Sequence, residues 1–162
     1  MREADRTLLH QDAKDFWKCC TNNYLAGEEY YLRQGDALEK ILDALPKIKQ
    51  AVDFGCGDGR FTRLIGKYSR RTRGIDISDE LISQANRSLG ILERRRINFT
   101  VGDIESATDL PCVDFVSCMG VTSGLIDDGA FQNVLSSIWN LLSPEGHLVL
   151  KDTLRREGEH VT

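Results

Sequence analysis

The chain predicts an α/β fold, doubly wound around a mostly parallel sheet, and three observations carry the prediction. Strand-like and helix-like segments alternate from residue 49 onward, the pattern of βαβ units with right-handed crossovers. The first of these strands runs into a loop with glycines at alternate positions, Gly55, Gly57 and Gly59, before a helical stripe begins. The strand ends at Asp53, Asp76, Asp103 and Met119 then share one crevice, the edge where such sheets bind ligands.

Each element has a local reason. Leu9, Ala13, Phe16 and Cys20 fall at helical spacing, and the polar TNNYLAGEE that follows reads as a loop. After Gly35, the residues Leu38, Ile41, Leu42 and Leu45 form a second stripe, with Asp36 and Glu39 spaced like a capping pair and Pro46 as the stop. Residues 49–54 make the first strand, and Phe61, Leu64, Ile65 and Tyr68 the stripe of the next helix. RTRGIDI (71–77) is the second strand, and Ser78 caps a helix carrying Leu81, Ile82, Ala85 and Leu89. INFTV (97–101) is the third strand and VDFVSCM (113–119) the fourth. Phe131, Val134, Leu135, Ile138, Leu141 and Leu142 form the longest apolar stripe; a type I turn at Ser143-Pro144-Glu145-Gly146 then leads into a fifth strand, HLVL.

The 162 residues, 41% hydrophobic and 28% charged with a net charge of −4, fit one globular domain of ordinary size. The mild acidity argues against a nucleic-acid-binding domain. Arg70-Arg71 and Arg94-Arg95-Arg96 read as solvated edges, since no interleaved aromatics accompany them. Five cysteines without CxxC spacing make neither a disulfide framework nor a zinc site, so no metal is expected and the thiols read as reduced and mostly buried. The charged amino terminus and the lack of a long apolar run make the cytoplasm the expected location.

The glycine loop fits neither common phosphate-binding pattern. A dinucleotide fingerprint needs glycine where Arg60 stands, and the Gly66-Lys67 pair lies inside the helix rather than in a Walker loop. Asp53 and Asp58 flank the loop and would oppose a pyrophosphate at the helix terminus. A nucleoside with a cationic tail and no phosphate suits the loop better, and S-adenosylmethionine is such a molecule. Asp76 ends the second strand, where a carboxylate can accept from both ribose hydroxyls. Asp103 ends the third and can accept from the adenine amino group.

With these features the chain resembles the class I S-adenosylmethionine-dependent methyltransferases, from about residue 49 to 153. VDFGCGDGRFT looks like the family's first motif, GIDIS its acidic second-strand position, VGDIE the adenine segment, DFVSCMG the fourth strand, and LLSPEGHLVLKD the fifth strand with its turn. The resemblance implies a Rossmann-like methyltransferase fold with S-adenosyl-L-methionine as cofactor. Asp53, Gly55, Cys56, Gly57 and Gly59 would cradle the methionine part, Asp76 and Ile77 hold ribose, Asp103 and the amide of Ile104 read adenine, and Cys118 and Met119 line the floor near the methyl group. Residues 1–46 would be helices covering the cofactor, 47–153 the core and 154–162 a polar tail, all within one domain. Tyr24, Tyr30, Tyr31 and Arg33 either meet the methionine carboxylate or pack the amino-terminal helices on the sheet.

The acceptor leaves less trace. The fourth strand lacks [ND]PP[YF], and Pro111-Cys112 precedes that strand, on the wrong side of the sheet for a nucleophile. His10, on a helix, His147, opening the fifth strand, and His160, on the tail, supply no evident base, and methyl transfer needs one only when the acceptor arrives protonated. Asp152 either contacts substrate or caps a loop, and no catalytic residue is assigned. The expectation is methyl transfer to an O, N or C atom of a small molecule, with a non-catalytic cofactor-binding or scaffold subunit as the alternative. The family's sheet continues beyond the fifth strand, so a missing segment or partner is expected along that strand's edge.

Overall fold

The computed structural model describes residues 3–22, 26–106, 110–125 and 128–152. Tyr24, His160 and the tail 154–162 lie outside them. The elements run α1 (Glu3–Lys18), α2 (Glu28–Ala44), β1 (Ile48–Phe54), α3 (Arg60–Tyr68), β2 (Ser69–Asp76), α4 (Asp79–Ser88), β3 (Ile97–Val101), β4 (Val113–Met119), α5 (Asp128–Leu141) and β5 (Leu142–Lys151), with short 3₁₀ turns at Glu93–Arg95 and Thr122–Gly124. The five strands form one sheet in the order β3-β2-β1-β4-β5, and every pairing is parallel. The order reverses at β1, which sits between β2 and β4. That makes the carboxyl end of β1, where the glycine loop begins, the switch point of the sheet.

Both faces of the sheet are covered. Ala51 packs with Leu38, Leu42, Ile65 and Phe115 beneath α2 and α3, while the adjacent Val52 packs with Val116, Val134 and Ile138 beneath α5. Successive strand residues point to opposite faces, so these clusters are the two layers expected of a doubly wound sheet. A third cluster joins Ile82 and Ala85 of α4 and Leu89 just beyond it to Ile97 and Phe99 of β3, with Cys56 of the glycine loop.

Ser78 caps α4 as its sequence suggests: its hydroxyl accepts from Leu81 N at 3.2 Å and donates to Cys20 O at 2.7 Å. Ser78→Ala removes the cap and a tie to the segment after α1. We expect a loss of about 1–2 kcal/mol, read as a lower denaturation midpoint in urea.

Several local expectations are corrected. α2 starts at Glu28 and runs through Gly35, so Asp36 and Glu39 are mid-helix residues rather than a capping pair. The apolar stripe of α1 does not face a core, since Leu9 and Phe16 are exposed, and Cys20 lies beyond the helix end. Ser143–Gly146 fall inside the bounds of β5, but the ladder steps from Leu142, opposite Val113, to His147, opposite Phe115, and is irregular between them. A Cβ on Gly146 would lie 3.0 Å from the Ser143 carbonyl oxygen, so the chain folds back on itself here and the continuous pairing of β5 begins at His147. Of the cysteines, all free, only Cys56 and Cys118 are buried; Cys19 and Cys112 are exposed. Among the described residues no helix is long and apolar enough to cross a membrane.

Candidate functional site

A cavity of about 390 Å³ lies over the carboxyl ends of the strands. Gly55, Cys56, Asp76, Ile77, Asp103, Ile104 and Met119, all expected at the site, line it together. Asp53, Gly57 and Cys118 are placed differently.

Asp53 is buried behind the glycine loop, where it accepts from Thr62 Oγ1 at 2.6 Å. Burial raises its pKa to about 6, with the Thr62 hydrogen bond opposing the shift. Its charge therefore acts from beneath the loop rather than from the cavity wall. Gly57 serves through its backbone: its N–H donates to Asp76 Oδ2 at 2.8 Å. Cys118 is fully buried, and burial pushes its thiol up to about 12. It is a neutral packing residue in the α5 cluster, and Met119 alone of that pair reaches the cavity wall.

The loop is held tightly onto β2. Ile75 O accepts from Gly55 N at 2.8 Å and from Cys56 N at 3.1 Å, so the backbone turns directly over the neighbouring strand. Gly55 has φ +66°, and a Cβ there would strike the Val121 side chain. The same hydrogen-bonding frame fixes Asp76. Its Oδ1 accepts from Ser78 N at 2.9 Å while Oδ2 takes the Gly57 amide. Burial raises the pKa of this carboxyl, and the backbone N–H groups work against the shift. The result is an oriented acceptor, with lone pairs remaining for a ligand's hydroxyls.

At β3 the structure adds residues that sequence reasoning missed. Lys14 of α1 forms ion pairs with Asp103 and Glu105, and His10 Nε2 lies 3.0 Å from Glu105 Oε1. The inward face of α1 is thus His10, Lys14 and Trp17, spaced i, i+4, i+7; Lys14 and Trp17 line the cavity. Asp103 Oδ1 also accepts from Glu105 N at 3.0 Å, so this loop, like Asp76, is fixed by local hydrogen bonds.

Over β1, β4 and β5 the wall comes from α2. Tyr30, Tyr31 and Gln34 line the cavity, which gives the two tyrosines a site position. Arg60, whose side chain replaces the glycine of a dinucleotide loop, makes a two-pronged ion pair with Glu28, at 2.8 and 2.9 Å, and lies over the Tyr31 ring. Lys151 Nζ meets Tyr30 OH at 2.5 Å. Asp152, also on the wall, accepts from Thr122 Oγ1 at 2.7 Å. Arg33 is 77% exposed and pairs with Glu29 at 2.5 Å, away from the cavity lining. Arg33→Ala should therefore leave the affinity for a ligand in the cavity within about twofold, in keeping with the small worth of an exposed ion pair; calorimetry would read it.

The donor set suits a nucleoside without phosphate. Carboxylates at Asp58, Asp76, Asp103, Glu105 and Asp152 outnumber the cations Lys14, Arg60 and Lys151 on the lining, and Arg60 and Lys14 are already engaged by acids.

Comparison with known proteins agrees with this geometry. The family model described as "Methyltransferase domain" matches residues 51–146. Nodulation protein S of Sinorhizobium fredii is 27% identical over 144 residues, covering 88% of this chain and 63% of the relative. An S-adenosyl-L-methionine-dependent Diels-Alderase, iccD of Talaromyces variabilis, is 27% identical over 122 residues, 73% of this chain and 41% of the relative. The chain thus spans less than two thirds of the length of these curated relatives. Among solved structures, N-methyltransferase NodS from Bradyrhizobium japonicum, in complex with S-adenosyl-l-homocysteine, superposes with a TM-score of 0.70 at 18% identity, covering 86% of this chain and 70% of the other. A methyltransferase from Leishmania major gives 0.73 at 21% identity, with 86% and 59% covered. These structural matches share the fold.

Proposed function

Because the chain belongs to the methyltransferase-domain family, in the class I S-adenosylmethionine-dependent fold, we propose that it transfers a methyl group from S-adenosylmethionine to an O, N or C nucleophile of a small molecule. The observation that carries the proposal is Asp76: a carboxylate at the end of β2, oriented by the Gly57 and Ser78 amides and lining a cavity at the switch point of the sheet.

Asp76 accepts from the ribose hydroxyls, with Ile77 beside it. Asp103 and the Ile104 amide read the adenine edge, and Lys14 holds α1 against them. Gly55, Cys56 and Gly57 form the turn that lets backbone approach the methionine part, and Asp53 supports that turn from beneath. When bound, S-adenosylmethionine supplies a methyl group on a positively charged sulfur, an electrophile that needs no further activation. The remaining work of the chain is alignment and exclusion of water, for which Met119, Tyr31 and Phe61 provide the wall. Alignment alone can supply much of the rate of such an in-line displacement. Asp152, at the mouth of β5, is the wall carboxylate placed to meet an acceptor.

Calorimetry with S-adenosylmethionine, S-adenosylhomocysteine and NAD tests the cofactor; heat from the first two is expected, and heat from NAD alone would sink the reading. Release of S-adenosylhomocysteine with small acceptors tests turnover.

A further inference from the structure

The wall at β5 carries a cation that the ribose and adenine contacts leave unused. Lys151 is the register partner of Met119, so it stands at the β4–β5 end of the cavity, three strands from the Asp76 end in the order β3-β2-β1-β4-β5. At a strand spacing of about 4.8 Å this is roughly 14 Å away. Its backbone is pinned, since its carbonyl oxygen accepts from Gly120 N at 2.7 Å. Its ammonium donates to the Tyr30 hydroxyl and stands 5.0 Å from that ring's centroid, at the hydroxyl edge of the ring. Among the described residues Arg60 and Lys14 are neutralised by carboxylates; Lys151 instead meets a neutral phenol. One turn along α2 from Tyr30 stands Gln34, on the same helix face. Its side-chain nitrogen is buried and has no hydrogen-bond partner among the described residues, though the residue lines the cavity.

A buried amide donor left unpaired costs about 1–3 kcal/mol, and the Lys151 side chain has a neutral phenol where Lys14 and Arg60 have carboxylates. One ligand group that accepts hydrogen bonds and carries a single negative charge answers both. We propose that the methyl acceptor bears a carboxylate, seated between Lys151 Nζ and Gln34 Nε2, with the Tyr30 hydroxyl holding the ammonium in place. The proposal rests on the methyltransferase reading and deepens it by naming a substrate class. One cation and one amide match a monoanion, while the neighbouring Asp152 carboxylate disfavours a doubly charged phosphate. Asp152 also gives the site its polarity: an acidic acceptor places its anionic end on Lys151 and turns its nucleophile away from that end, toward the sheet centre and Met119.

Titration calorimetry on the S-adenosylhomocysteine-loaded protein tests this, with benzoate, benzamide and benzylamine as probes of one shape and different charge. Benzoate is expected to bind at least tenfold more tightly than the other two. Lys151→Met should remove that preference, and Gln34→Leu should weaken benzoate severalfold. Melting temperatures close to that of the unaltered protein show that both variants fold, and a loss of S-adenosylhomocysteine affinity in Lys151→Met would overturn the proposal, because the ammonium would then hold the cofactor's own carboxylate. Equal affinities for the three probes, no heat from benzoate, or a benzoate preference that survives Lys151→Met would overturn the carboxylate site while leaving the methyltransferase reading intact. No heat from S-adenosylhomocysteine in the unaltered protein would overturn both.

Discussion

Asp76→Ala is expected to weaken S-adenosylmethionine binding by about 100-fold or more. A hydrogen bond to a charged group is worth about 1.5–3 kcal/mol, and a carboxylate that accepts from two ribose hydroxyls forfeits two of them; each 1.4 kcal/mol is a factor of ten. The alanine also orphans the Gly57 and Ser78 amides, so part of any loss would come from a loosened glycine loop. Asp76→Asn separates the two effects. Its amide oxygen still accepts from one backbone N–H and its size is unchanged, while its NH₂ cannot accept from a hydroxyl. We expect Asn to retain most of the stability and still lose at least tenfold in affinity. Calorimetric affinity at wild-type levels in the Asn variant would remove Asp76 from the ribose role. The pH dependence has a definite sign as well. Burial raises the pKa of Asp76, so the ionised acceptor is lost, and affinity falls, at a higher pH than for an ordinary aspartate.

The strand ends that line the cavity were legible because a parallel sheet writes its carboxyl edge into the sequence. Each strand ends where an apolar run meets a carboxylate or glycine, and β3 and β4 have the bounds read from INFTV and VDFVSCM. What stayed hidden arises between distant segments. The tie from His10 to Glu105 spans 95 positions and leaves no periodic trace. On its own helix, the exposed Leu9 and Phe16 gave the stronger pattern and pointed to the wrong face. In α2 the signal was locally misleading. Gly35 costs about 1 kcal/mol relative to alanine in a helix interior, which made a break there reasonable. Burial of Leu38 and Leu42, together with the Arg60 anchor on Glu28, outweighs that cost. A helix that begins at Glu28 is what brings Tyr30, Tyr31 and Gln34 onto the cavity.

Asp53 shows how a residue read from its position can act from another place, and Asp53→Asn should stabilise the free protein at pH 8. The side chain is 3% exposed, and its pKa is raised to about 6 from 3.8. A raised folded-state pKa means that the native state holds the proton more tightly than the unfolded chain does. The associated stability is present below about pH 4 and is lost as pH rises through 6. At about 1.4 kcal/mol per pKa unit, the buried charge costs roughly 3 kcal/mol above that range. Asparagine removes the charge, keeps the shape and still offers Thr62 an oxygen to donate to. The expected gain at pH 8 is about 2–3 kcal/mol, a rise in melting temperature of about 4–12 °C for a chain of this size, shrinking toward zero near pH 4. Equal melting temperatures for the two proteins at pH 8 would mean that the carboxylate is stabilised by something the fold alone does not provide. A second measurement decides whether the cost serves the ligand: if the Asp53 charge beneath the loop draws a cationic methionine tail, the asparagine variant binds S-adenosylmethionine more weakly at pH 8 while melting higher. Stability and affinity then move in opposite directions at one residue, as they should where a buried charge is kept for binding rather than for folding.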